Sequence, residues 1–295
     1  MIMQNFNEEL FLRDRRTKVI YFDINGHVWH LSGFGQGREG ATLGVEPDNL
    51  YMIDTELLWT EGARQDGSSY EGTVISRREI DFEVQIKSST VRGFHAINDK
   101  WWRGWSARTP GTLAFYTREM GWRWTRVRLA GNVEPKWGKD PALIRACDYD
   151  MTIAADDAMF RSAMEFGYWR NVGGTGQGSI LLKNTADHIA FPEYVMPGPG
   201  TYSIQDGPDG DMIPLTPIRA GQTLKLKTHR EKLSLRLYDS TTGIDGRTAW
   251  RGWGTKRFEN HLEPHSINRI KVSVTGGTPN SQVMAQVFPR HYRPF

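Results

Sequence analysis

The run at residues 73–86, TVISRREIDFEVQI, constrains the fold of this chain more than any other feature. Val74, Ile80, Phe82, Val84 and Ile86 share one parity, and Arg77, Glu79, Asp81, Glu83 and Gln85 share the other. Successive side chains on a strand point to opposite faces, so the pattern predicts one long strand with a buried face and a solvated or interfacial face. Arg77 and Arg78 stand beside Glu79, Asp81 and Glu83, so the polar face carries both signs. These five residues are the candidate contacts with a neighbouring copy, where complementary charge fixes register, or with another component of an assembly.

The rest of the chain reads as mainly β. Residues 18–32 hold Asn25-Gly26 between two β-rich runs, the signal of a hairpin closed by a type I′ turn. A glycine-rich stretch follows at 33–50, and residues 113–118 and 122–129 read as further strands. Between the long strand and these, Asn98 is expected to cap a short helix over 99–106, with Trp101, Trp102 and Trp105 on one face. A second helical or turn segment is expected around 154–164. Residues 171–178, NVGGTGQG, are the expected linker. Short strands separated by Pro/Gly turns follow, the signature of a sandwich or jelly roll. The expected organisation is therefore an N-terminal β domain at 1–170, a linker at 171–178, and a C-terminal β-sandwich at 179–295.

Composition narrows the function. The chain has 295 residues, 38% of them hydrophobic and 24% charged, which suits two globular domains. Eight of its 11 Trp precede residue 140 and give the first half an aromatic core. The net charge of +3 is too small to call for nucleic acid. It is uneven, with 21 Lys+Arg against 24 Asp+Glu in residues 1–165 and 16 against 10 beyond. The single cysteine, Cys147, excludes an internal disulfide framework. Residues 1–12 carry Glu8 and Glu9 without an apolar run, and no stretch reaches the roughly 20 apolar residues that span a bilayer. The expectation is a soluble protein made in a cytoplasm, with no membrane or nucleic-acid partner.

No catalytic or metal constellation assembles from the sequence. His27 and His30 fall at i and i+3 of a strand, on opposite faces, and His95, His188, His229 and His261 have no ligand spacing. Asp206, Asp209 and Asp211 in DGPDGD lack the Gly and Glu that a calcium-binding loop requires. Glu56 and Glu61 flank Trp59, but such a pair is expected by chance among 34 acids. Gly33, Gly35 and Gly37 sit outside any βαβ unit, and no Gly-x-Ser-x-Gly elbow occurs. The expectation is a protein that is not an enzyme and takes no cofactor or metal.

The order of segments resembles the distal tail protein family, the minor tail proteins of siphophages of actinobacterial hosts. The resemblance is carried by Val28-Trp29-His30-Leu31, then Gly37-Arg38-Glu39-Gly40-Ala41-Thr42-Leu43-Gly44, and the alternating run 73–86. Pro110-Gly111-Thr112-Leu113, Val133-Glu134-Pro135-Lys136-Trp137, Asp140-Pro141 and Tyr149-Asp150-Met151-Thr152 continue it. Later come Asn184-Thr185-Ala186-Asp187, Pro192-Glu193-Tyr194-Val195, Gly198-Pro199-Gly200-Thr201-Tyr202, Asp206-Gly207 and Tyr292-Arg293-Pro294-Phe295. Ala155-Asp156-Asp157 departs from the Asp-Pro expected there. The resemblance implies a ring-forming N-terminal β domain with a short helix and a galectin-like C-terminal β-sandwich. It further implies a virion protein at the distal end of the tail, six copies forming a ring between tail tube and tail tip or baseplate. Its partners would be itself, the tail tube protein, tip or hub proteins, and the tape measure protein. The alternative is a carbohydrate-binding adhesin that presents Trp250 and Trp253 of AWRGWG to host-surface glycans.

Overall fold

The computed structural model describes residues 14–44, 47–131, 133–136, 138–249 and 256–295. The protein is mainly β, in two compact units. One unit runs to Ser162 and takes back His291–Phe295; the other spans Ala163–Arg290.

The first unit contains β1 (Lys18–Phe22), β2 (Val28–Ser32), β3 (Ala41–Leu43), β4 (Thr55–Thr60), β5 (Ser69–Ile75) and β6 (Arg78–Lys87). Helix α1 (Val91–Arg103) follows, then β7 (Gly111–Thr117), β8 (Gly121–Leu129), β9 (Glu134–Pro135), α2 (Pro141–Ile144), β10 (Ala146–Ala155) and β11 (Phe160–Arg161). The main sheet runs β2-β1-β7-β8-β10-β6-β3, and β2 lies against β3, so it nearly closes on itself. Val19, Tyr21, Leu31, Ile80, Phe82, Val84, Ile86 and Met151 fill its interior. Tyr21 stacks on Trp105 at 3.9 Å, and Trp101 meets Trp29 edge-on at 5.0 Å. Gly111 is required beside this cluster, because a Cβ there would lie 2.5 Å from the Tyr21 ring.

Two sequence expectations change in this unit, and a third resolves to one of its alternatives. The β1–β2 hairpin is present, but only Gly26 has positive φ, at 82°. The turn is held by Asp23, whose carboxylate accepts from the Asn25 and His27 amides at 2.9 and 2.8 Å and from the Trp29 indole at 3.2 Å. A side chain that caps the turn removes the need for two left-handed residues. The helix starts at Val91, eight residues before the expected position, with the Thr90 hydroxyl accepting from the Gly93 amide at 3.0 Å. Phe94, Ile97 and Trp101 form its inward stripe, and Asn98 lies inside it, accepting from Tyr149 at 2.6 Å. Of the helix or turn expected around 154–164, the turn is present, between the end of β10 and β11.

The second unit is a sandwich of two antiparallel sheets. The larger sheet joins β12 (Glu165–Arg170), β14 (Glu193–Pro197), β17 (Gln222–Lys227), β18 (Ser234–Asp239), β19 (Ile244–Thr248) and β21 (Gln282–Val287) in the order β12-β21-β14-β17-β18-β19. The smaller joins β13 (Gly176–Asn184), β15 (Thr201–Gln205), β16 (Met212–Pro214) and β20 (Ser266–Thr275) in the order β13-β20-β15-β16. Ile180, Ile204, Ile270 and Val272 of one sheet meet Tyr194, Met196, Leu224, Leu226 and Val283 of the other in one core. The stretch 171–178 expected as a linker connects β12 to β13 inside this unit, and its last residues already pair with β20. The short β22 (Arg290–His291) leads the chain back to the first unit.

Candidate assembly surface

The sequence run 73–86 is two elements, not one strand. Among the described residues β5, which ends at Ile75, pairs only with β4, while β6 begins at Arg78 and pairs with β10 and β3. Along β6 the alternation holds: Ile80, Phe82, Val84 and Ile86 are buried, while Glu79, Asp81, Glu83 and Gln85 reach the outer face. Register places these beside Ala154, Thr152, Asp150 and Asp148 of β10, giving one acidic strip. Much of its charge is matched locally. Arg77 donates to Glu79 at 2.9 Å, the Lys136 ammonium bridges Glu83 and Asp150 (2.9 Å to the latter), and Thr152 donates to Asp81 at 2.5 Å. Hydrogen bonds from Lys136, to Glu83 first and Asp150 second, push its own pKa above the ordinary lysine value.

Arg78 is the correction among the five expected contact residues. It is 2% exposed and points inward with Ile80. Its guanidinium donates to four backbone carbonyls: Ala158 at 2.7 Å, Asn49 at 2.5 Å, Met52 at 3.1 Å and Tyr292 at 2.7 Å. It also lies 5.0 Å from the Phe160 ring centre. Burial lowers its pKa to about 10, against the opposing pull of Asp54. Sequence parity already set Arg78 with the apolar residues; backbone carbonyls leave no residue signature, so its ligands were invisible.

The other expected positions divide. Trp250 and Trp253 lie outside the described residues. His27 pairs with Asp23 at 3.1 Å and His30 with Glu39 at 2.9 Å, so the two rings serve separate acids. The Asp206 carboxylate accepts from the Glu259 and Asn260 amides at 3.0 and 3.2 Å, while Asp211 pairs with Lys256 at 2.8 Å. DGPDGD therefore ties a neighbouring segment down rather than converging on one point. In the departing turn, Arg128 grips Asp156 at 2.8 Å and Arg161 holds Asp157 at 3.2 Å.

Sequence reasoning missed the β4–β5 hairpin. Every residue of β4 is exposed, and so is every residue of β5 except the half-buried Gly72. Leu57, Leu58, Trp59, Tyr70, Val74 and Ile75 are all exposed, Trp59 and Tyr70 by more than half. Register puts Leu57 opposite Thr73 and Trp59 opposite Tyr70, and the Trp59 and Tyr70 rings meet at 5.4 Å. A free two-stranded hairpin is marginal in water, and an apolar one marks an interaction site. The signal was present as LLW followed by SYEGTVI, two β-rich runs with a glycine-containing turn between them.

No protein-family model matches the chain, and no curated protein matches it. Solved structures do. The Dit protein of phage SPP1, described as a paradigm of the hub adsorption apparatus in phages infecting Gram-positive bacteria, is similar with a TM-score of 0.61 and 11% identity, over 92% of this chain and 98% of that one. Two structures of the phage P2 baseplate in its activated conformation, with calcium and with strontium, are similar at a TM-score of 0.51 and 9% identity, each over 94% of this chain and 99% of the other. The fold is thus shared with phage hub and baseplate proteins.

Proposed function

We propose that this chain is a structural virion protein at the distal end of a siphophage tail, where six copies close a ring joining tail tube to tail tip or baseplate. One observation carries the reading: the likeness to the SPP1 hub protein covers 92% of this chain and 98% of that one, so both units and their order are shared, not a sandwich alone. A closed ring of identical subunits needs two different patches per subunit. The first unit offers the acidic strip of β6 and β10 and the apolar β4–β5 hairpin. Tail tube, tip or hub, and tape measure proteins are the neighbours this position entails, and the role requires no reaction. Imaging of the assembled virion tests it. One ring of this chain at the tube's end is expected; density along the shaft, density in the capsid, or none would defeat the proposal.

A second reading rests on the outer face of β12. Phe166 and Tyr168 are 60% and 67% exposed, with rings 6.4 Å apart and only 27° from parallel. Paired exposed rings of this kind offer a platform to a sugar chain on the host surface. A glycan array probed with the full chain should show binding that Tyr168→Ala abolishes; equal signals from both proteins would remove this reading.

A further inference from the structure

We infer that the β4–β5 hairpin of one copy docks on the α2 corner of a second copy of this chain. The inference rests on the reading of the chain as a self-assembling tail protein and names one contact that assembly would use.

The hairpin supplies an acidic, apolar arm. Its strands of six and seven residues extend roughly 20 Å, enough to cross a subunit boundary. Between residues 55 and 75 it carries Glu56, Glu61, Asp66 and Glu71 against the lone cation Arg64. Its apolar side chains face solvent on both sides, and among the described residues no other strand pairs with either of its backbone edges.

The same unit holds a surface of opposite character. α2 is one turn long, capped by Asp140, whose side chain accepts from the Ala142 amide at 2.9 Å. It exposes Leu143 by 78% and Ile144 by 45%, and Val91 at the start of α1, which packs against α2, is 47% exposed. Arg145 ties this corner together, donating to the Ser89 carbonyl at 3.0 Å, while its own carbonyl accepts from Ser88 at 3.0 Å. The rim is basic: within residues 87–92 and 139–145 the charged side chains are the exposed Lys87, Arg92, Lys139 and Arg145 against Asp140. Net charges of −3 on the arm and +3 on the corner therefore face each other across an apolar centre. Apolar anchors within a rim of complementary charge are what fix both affinity and register. The exposed Met120 and Trp122 form a rival acceptor, but Glu119 there dilutes the charge of Arg118 and Arg126. The donor and acceptor patches differ, so the contact is head-to-tail and propagates around a ring.

Zero-length carboxylate–amine cross-linking of the full chain tests this, using an equal mixture of isotopically labelled and unlabelled protein and, separately, assembled tails. Cross-links from Glu56 or Glu71 to Lys87 or Lys139 that join a labelled to an unlabelled chain are expected. Glu56→Lys with Glu71→Lys should weaken self-association in sedimentation by about tenfold or more, and adding Lys139→Glu with Arg92→Glu, which leaves the bond from Arg145 to Ser89 in place, should restore it. All four positions are exposed, and an unchanged circular dichroism spectrum confirms folding. Hairpin cross-links confined to one chain, to lysines elsewhere, or to a different tail protein would overturn the inference, as would charge reversal without rescue. A ring in virions without these cross-links would sink this contact and leave the ring; the cross-links without a ring at the tail end would do the reverse.

Discussion

Arg78 shows how a single side chain can organise a unit without touching another charge. A guanidinium has five donors in a planar fork and loses less on dehydration than an ammonium, so it can satisfy several carbonyls at once. Replacing it with Met would leave the carbonyls of Asn49, Met52, Ala158 and Tyr292 without this donor. A loss of about 3–5 kcal/mol is expected in urea unfolding, and Arg78→Lys should recover less than half of it. Asp23 gives a pH dependence. Burial alone would raise its pKa, but hydrogen bonds from the His27 amide, the Trp29 indole, the Asn25 amide and the His27 ring outweigh that and hold it below the ordinary value. A carboxylate with a depressed folded pKa stabilises above its unfolded pKa and loses that contribution as pH falls through the folded value. The wild-type melting temperature should therefore drop below about pH 4, and the drop should shrink in Asp23→Asn. Neither role was legible beforehand, since both depend on partners brought together by folding. Cys147 was legible: it is a buried free thiol, raised in pKa chiefly by burial.

At the scale of elements, alternation and punctuation were good guides, and boundaries were not. β6 shows the inward and outward parities that the sequence displays. The same pattern concealed the break at Ser76 and Arg77, because β5 alternates too while belonging to a different sheet. α1 was placed late because its first turns contain Val91, Gly93 and Ile97, poor helix formers that packing overrides. The stripe Phe94, Ile97 and Trp101 is the local pattern that marks the true start. Its cap is a measurable part of that override. Thr90→Ala removes the bond to Gly93 and should lower stability by about 1 kcal/mol, whereas Thr90→Ser should lose much less.

For the whole molecule, two β units were legible and the division between them was not. Glycine density pointed to 171–178, yet those residues join two strands of the sandwich, and the chain passes between units at Ser162 and Ala163, where no glycine or proline stands. Val172, 91% exposed, remains the best protease target. The expected product is a nicked chain whose pieces stay together, because β12 of the first piece pairs with β21 of the second, and residues 291–295 of the second return to the first unit; two pieces separating on a native column would contradict this. The return of 291–295 left no trace in the sequence at all. Arg123 donates to the Arg293 carbonyl at 2.8 Å, Arg78 reaches Tyr292, and the Phe295 ring lies 6.2 Å from that of Phe115.

That return sets an order on synthesis. Domains ordinarily fold as they leave the ribosome, the earlier before the later. Here the earlier unit lacks the contacts of residues 291–295 until the whole of the later one has been translated. A nascent or prematurely terminated chain thus carries Arg78 and Arg123 without the carbonyls of residues 292 and 293, and competence of the first unit becomes a readout of a fully translated second one.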